Sequence, residues 1–204
     1  MMIRLHLPPL LLPLPRLVAR LINHTLQLIL FGANDSCLPG QAQHVPLLKY
    51  KQNIKNILSH PSVRLHGPTI FLVTPPPIDE IQFEQNQFKD SREQASTAQY
   101  AEAIREIASE FKGQRVILID LWQAVMKKAR EWTPGYVDGG ALTGTKAKET
   151  NEGLRFLLSD GLHLSARGYQ VFIEELLPKF GDNWDRETDN EWIFPYWGNL
   201  PKAN

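Results

Sequence analysis

An α/β fold built on a parallel sheet is the architecture this sequence predicts, and three observations carry it. Short apolar runs without polar alternation, "LQLILFG" (Leu26 to Gly32), "TIFLVT" (Thr69 to Thr74) and "RVILID" (Arg115 to Asp120), read as strands covered on both faces. Amphipathic helical patterns separate and follow these runs. The resulting alternation joins parallel strands by right-handed crossovers and sets helices on both faces of one sheet.

Each element has its own signal. The first 25 residues hold Arg4, Arg16 and Arg20 among leucines and prolines, with no acidic residue before Asp35. A secretory signal is disfavoured because Pro8, Pro9, Pro13 and Pro15 interrupt its apolar core. A transit peptide fits the arginines and the missing acids, although serine is absent. The plain alternative is a helix and linker packing onto the domain. No window reaches the ~20 uninterrupted apolar residues of a membrane span.

After the first strand, "PLLKYKQNIKNILSH" places Leu47, Tyr50, Ile54, Ile57 and Leu58 on one helical face, with Pro46 suited to the first turn. "STAQYAEAIREIASEFKG" repeats the pattern with Tyr100, Ile104, Ile107 and Phe111, and Gly113 terminates it. A last helix starts at Ser165, an N-cap residue, and runs through Tyr169, Phe172, Ile173, Leu176, Leu177 and Phe180 to Gly181. The stretch 131–153 is rich in glycine, threonine and lysine without periodicity, as in a rim loop or lid. The tail gathers Trp184, Trp192, Phe194, Tyr196 and Trp197 without helical spacing, which suits an extended segment docked on the domain or a contact surface.

Composition sets the outer limits. A chain of 204 residues holds one well-buried domain, and 43% apolar with 22% charged residues is ordinary for a globular protein. Lys plus Arg equals Asp plus Glu at 22 each, so charge gives no reason to expect nucleic acid or an anionic membrane as partner. The lone Cys37 excludes an internal disulfide, and no Cys/His spacing resembles a zinc site. A reducing, cytoplasmic compartment is the default, with organelle targeting by the basic amino terminus left open. The segments are then 1–25, an atypical leader; 26–181, the domain; and 182–204, the aromatic tail.

In open α/β sheets ligands gather at the carboxyl ends of the strands. Asn34 and Asp35 follow the first strand, Thr74 to Pro77 the second, and Asp120 closes the third. Asn34 offers an uncharged amide donor suited to a developing oxyanion. In "LSDGLHLSARGY", Asp160 and His163 lie three apart around Gly161, so a turn can bring the carboxylate to one imidazole nitrogen and leave the other free as a general base. By itself Asp-x-x-His is a common loop pattern. Combined with Asn34 it suggests acyl transfer. Asp35 reads as a loop or cap acceptor and Cys37 as a buried, inert thiol.

Together "GAND", "TPPPIDE" and "LSDGLHLSARGY" resemble the later blocks of the SGNH, or GDSL, hydrolases. The fuller series "FGANDSCLP", "QHVPLLKYKQNIKNI", "LVTPPPIDE", "DLWQAVM" and "LSDGLHLS" is similar to the isoamyl-acetate-hydrolysing esterase subfamily, from about Leu26 to the tail. That resemblance implies a flavodoxin-like three-layer sandwich, no cofactor, and hydrolysis of small carboxylic esters through an acyl-enzyme. It also implies Asn34 as side-chain oxyanion donor, His163 as base and Asp160 as its orienting partner.

Two blocks are missing from the resemblance, one that carries the nucleophile and a second that contributes a glycine amide. That nucleophile is the serine of a Gly-Asp-Ser strand end, and no such triplet occurs in the 204 residues. No nucleophile is therefore identified, and Ser36, Ser159 and Ser165 stand on no strand-to-helix elbow. The expectation is an incomplete domain without its first strands, inactive by itself. The edge of "LQLILFG" would be uncovered and open to a second copy, so the chain alone is expected to be poorly soluble. Monodisperse monomer on size-exclusion chromatography with cooperative unfolding would count against that. A non-catalytic protein that binds a full-length relative is the second reading. A nucleotide-binding module is weaker, because no glycine-rich phosphate loop opens a helix.

Overall fold

A computed structural model of the chain describes residues 26–84, 91–148 and 150–180. The leader 1–25 and the tail 182–204, both read above from sequence, lie outside the described residues. Three parallel strands form the sheet in the order β1 (Leu26–Leu30), β2 (Thr69–Val73), β3 (Val116–Ile119). Leu26 pairs with Thr69 and Leu30 with Val73, and Ile70 to Val73 pair with Val116 to Ile119. All three predicted strands are present, one or two residues shorter than the apolar runs.

Period-two geometry divides β2 between two cores. Ile70 and Leu72 face a cluster formed with Ile29 and with Tyr50 and Ile54 of helix α1 (Leu47–Leu58). Helix α4 (Gln94–Glu110) completes that layer with Tyr100, Ile104 and Ile107. The Tyr50 and Tyr100 rings meet at 4.9 Å. Between these helices come two short ones, α2 (Pro61–His66) and α3 (Glu80–Phe83). Phe71 and Val73 face the other way, against Leu121 and Val125 of α5 (Leu121–Glu131), Leu154 and Leu157 of α6 (Glu152–Leu157), and Val171 of α7 (Ala166–Leu176). Helices thus cover both faces of a parallel sheet, giving the three-layer α/β sandwich.

The structure corrects four local expectations. β1 is not covered on both faces: Ile29 is buried, whereas Leu28 is 46% and the adjoining Phe31 53% exposed. Among the described residues β1 pairs with β2 alone. Pro46 occupies the position before α1 rather than its first turn. Helix α5 had no sequence assignment, although Asp120 caps it by accepting from the Gln123 amide at 3.1 Å. Finally, α7 buries a different stripe from the one expected. Tyr169, Ile173 and Leu177 are exposed, while Gly168 and Val171 are buried and Phe172, Leu176 and Phe180 pack at the margin. A Cβ on Gly168 would lie 2.2 Å from the Leu157 carbonyl oxygen. That close backbone approach fixes which stripe of α7 faces inward.

Stretch 131–153 is anchored rather than free. Fully buried Gln94 accepts from the Ile78 amide at 2.8 Å and donates to the Thr143 carbonyl at 3.0 Å. Glu80 accepts from the Gln94 amide at 2.7 Å and the Lys146 amide at 2.8 Å, and its own amide donates to Gly144 O at 2.7 Å. One end of the loop is therefore tied to the segment after β2, whereas Val137 stands well out at 77% exposure.

Candidate active site

The strand ends do different work. Thr74 and Asp120, after β2 and β3, are structural: Thr74 Oγ1 accepts from the Trp122 amide at 2.8 Å, and Asp120 takes a two-pronged contact from Arg105, Nε at 2.8 Å and Nη2 at 3.1 Å. That ion pair raises the Arg105 pKa further, the hydrogen bond to Asp120 being the largest cause. Pro75 to Pro77 are buried. Only the turn after β1 presents a chemically useful side chain to solvent, and that side chain is Asn34.

The β1 turn is built by its own backbone and by its neighbours. Gly32 adopts φ +114°, and a Cβ there would meet Tyr50 Oη at 2.9 Å and Pro75 Cγ at 3.1 Å. Tyr50 Oη donates to the Phe31 carbonyl at 3.0 Å. Asp35 Oδ2 reaches back to accept from the Gly32 amide at 3.1 Å and so closes the turn. Ser36 is fully buried, with Oγ donating to Ala33 O at 3.3 Å and 3.1 Å from Thr97 Oγ1. Cys37 is buried too, and burial pushes its thiol pKa up.

Behind Asn34 lies Arg92, a residue that no sequence pattern singled out. It is 7% exposed, and its guanidinium donates to Ala33 O, to Asn34 Oδ1 at 3.0 Å and to Gln43 Oε1 at 3.1 Å. Its guanidinium carbon stands 6.0 Å from the centroid of the Phe83 ring, within cation–π reach.

Asp160 and His163 meet as their spacing predicts. An isolated bridge between Leu158 and Leu164 closes the loop, and Ser159 N donates to His163 O at 2.8 Å. Within it, Asp160 Oδ1 accepts from the amides of His163 at 2.8 Å and Leu162 at 3.0 Å, while Oδ2 lies 2.8 Å from His163 Nδ1. Burial works against the Asp160 charge, but the bonds from the His163 amide, the His163 ring and the Leu162 amide outweigh it and hold its pKa below 3.8. A carboxylate accepts only, so His163 carries its proton on Nδ1 and leaves Nε2 free to accept. The His163 side chain is 72% exposed. The other serines of this loop are engaged: Ser165 Oγ donates to Phe156 O at 2.6 Å and caps α7 by accepting from Gly168 N at 3.2 Å, and Ser159 Oγ donates to His163 O at 3.2 Å.

The loop and the Asn34 turn are joined through α3. Gly161, at φ +84°, packs so closely that a Cβ would lie 2.6 Å from Phe83 N, and its carbonyl accepts from Asp79 N at 2.9 Å. Phe83 in turn carries Arg92 on its ring face. A continuous path therefore runs from Asn34 through Arg92, Phe83 and Gly161 to the Asp160–His163 pair. Among the described residues no group of three His, Cys, Asp or Glu side chains is disposed to hold a metal ion, and no helix is long and apolar enough to cross a membrane.

An exposed amide side chain follows the first described strand, an oriented imidazole stands on the loop before the last helix, and a parallel three-layer α/β sandwich lies beneath them. The chain belongs to the GDSL-like Lipase/Acylhydrolase family, whose pattern matches residues 6–171. It is similar to a GDSL esterase/lipase of Arabidopsis thaliana, 30% identical over 190 residues, with 86% of this chain and 67% of that protein covered. An isoamyl acetate-hydrolyzing esterase 1 homolog of Mus musculus is 28% identical over 201 residues, covering 93% of this chain and 69% of the relative. Among solved structures, one provisionally assigned to platelet activating factor from Streptococcus pneumonia shares the fold, with a TM-score of 0.53 at 21% identity. That match covers 76% of this chain and 59% of the other, so the chain spans 59% to 69% of the length of these relatives.

Proposed function

We propose that this chain carries the base and oxyanion elements of a carboxylic ester hydrolase for small esters, short-chain acetates such as isoamyl acetate being the substrate class. The observation that carries the reading is the Asp160–His163 pair, 2.8 Å apart, with the imidazole open to solvent. In it His163 Nε2 takes the proton of an attacking hydroxyl and returns it to the leaving alcohol, Asp160 holds the ring and steadies the imidazolium, and Asn34 Nδ2 donates to the tetrahedral oxyanion. The isoamyl acetate named in the Mus musculus relative supports the substrate class.

An acyl-enzyme also needs a nucleophile. The 204 residues hold no Gly-Asp-Ser, and Ser36, Ser159 and Ser165 spend their hydroxyls on structural bonds. Hydrolysis of a chromogenic short-chain acetate by this chain is therefore expected to stay at the level of an identically prepared His163→Ala variant. The same chain extended upstream by a strand ending in Gly-Asp-Ser is expected to gain hydrolysis that His163→Ala abolishes. His163-dependent turnover by the 204 residues alone would place a nucleophile among them and overturn the incomplete-site reading. Inactivity of the extended chain, folded, would overturn the hydrolase reading itself.

A second reading has one observation in its favour. The half-covered β1, with Leu28 and Phe31 exposed, suits strand pairing with another copy or a full-length relative, in a non-catalytic role.

A further inference from the structure

A primary amide can face an oxyanion in two ways, and only one of them donates. If Asn34 is the oxyanion donor, as the ester-hydrolase reading holds, something must keep Nδ2 rather than Oδ1 toward the substrate. We propose that Arg92 is the positioning residue of this donor, fixing Asn34 by its carbonyl oxygen and polarising its amide so that Nδ2–H points out as a stronger donor.

The chemistry of the contact decides the orientation. A guanidinium has donors and no acceptor, so the atom of Asn34 lying 3.0 Å from Arg92 Nη2 is necessarily Oδ1. With Oδ1 engaged, Nδ2 occupies the opposite side of the amide. Arg92 is itself immobilised. Its fork holds the Ala33 carbonyl, one residue before the donor, together with Gln43 Oε1, and the Phe83 ring lies over its guanidinium carbon. At 7% exposure little water competes for those bonds. A charged donor on Oδ1 draws electron density from the amide and strengthens the Nδ2–H bond to an acceptor beyond, as hydrogen bonds in series do in a low-dielectric site. The same positive charge favours the negative oxygen that forms there. Arg92 touches no reacting atom in this scheme. It acts through Asn34.

The two orientations of Asn34 are separable by NMR in the 204-residue chain, without any turnover. The Asn34 side-chain resonances are identified by their loss in Asn34→Ala. In the wild-type chain the two Nδ2 protons are expected at well-separated shifts, and acetate, a carboxylate that mimics the oxyanion and the product, is expected to move them. Chloride at equal ionic strength is the control. In Arg92→Met the separation should collapse toward that of a free amide, and about tenfold more acetate should be needed for the same movement. Arg92→Lys keeps the charge but loses the planar fork, so it should fall between the two, and it stands in if the methionine variant does not fold. Wild-type separation and acetate response in both variants would overturn the positioning role. If acetate moves Asn34 in none of the chains while the separation still follows Arg92, the ester-hydrolase reading falls, and the catalytic meaning of the contact falls with it.

Discussion

Gly161→Ala is expected to lower unfolding stability by about 3 kcal/mol and to separate Asp160 from His163. Two terms add. Gly161 sits at φ +84°, where a side chain costs roughly 1–2 kcal/mol. The new Cβ would also stand 2.6 Å from Phe83 N and 2.7 Å from Asp79 O, backbone atoms with no rotamer to escape into, and forced overpacking of this kind costs roughly 1–3 kcal/mol. Gly140→Ala isolates the first term. Gly140 has φ +74°, but nothing lies within 4 Å of the position its Cβ would take. Urea unfolding of both variants therefore reads packing against conformation: Gly140→Ala should lose roughly 1–2 kcal/mol and Gly161→Ala clearly more. Equal losses would mean that α3 yields to the extra methyl. Because Gly161 O also accepts from Asp79 N, the displacement should travel into the loop and weaken the Asp160–His163 contact. The imidazole ¹⁵N shifts of His163 record that directly.

How much of this was legible in the sequence follows from how far apart the interacting residues lie. Strands β1 to β3 are short, mostly apolar runs, so local composition is enough to find them. The Asp160–His163 pair is local as well: three residues, a glycine able to take positive φ, and an N-cap serine just beyond. Asn34 was legible as a strand-end residue. Arg92 was not, because its bond to Asn34 spans 58 positions and begins in a stretch without periodicity. Gln94 and Glu80 were missed for the same reason; they tie down a loop whose glycines and lysines suggest freedom. For α7 the failure was of another kind. Six apolar residues spread over more than one face, and periodicity could not say which stripe faces inward. The deciding residue was Gly168, which has no side chain and contributes to the packing by what it leaves out.

Asp160→Asn is the substitution expected to have the largest functional effect for the smallest structural change. Asparagine keeps an oxygen where Oδ1 now accepts from the His163 and Leu162 amides, so the loop retains its backbone bonds. What changes is the atom facing His163 Nδ1. The carboxylate oxygen at 2.8 Å accepts a proton from that nitrogen, whereas the asparagine amide offers one. Nδ1 must then be the acceptor, the ring proton moves to Nε2, and the nitrogen that would act as base is blocked. In the chain extended by a Gly-Asp-Ser strand, kcat should fall by roughly 10³ to 10⁴, the scale on which a wrong tautomer disables a Ser-His-Asp triad. KM should change little, since Asp160 meets no substrate. The pH sign adds a check. Asp160 has its pKa held below 3.8 in the folded chain, so its contribution to stability is fully present above that value and is lost as pH falls through the lowered one. Asp160→Asn should therefore flatten the acid limb of the stability profile while leaving its neutral region nearly parallel to wild type. In the 204-residue chain itself, ¹⁵N spectra at neutral pH should show the proton on Nδ1 before the substitution and on Nε2 after it. An unchanged tautomer would mean that Asp160 does not orient the imidazole, and the base assignment would have to be rebuilt around another partner.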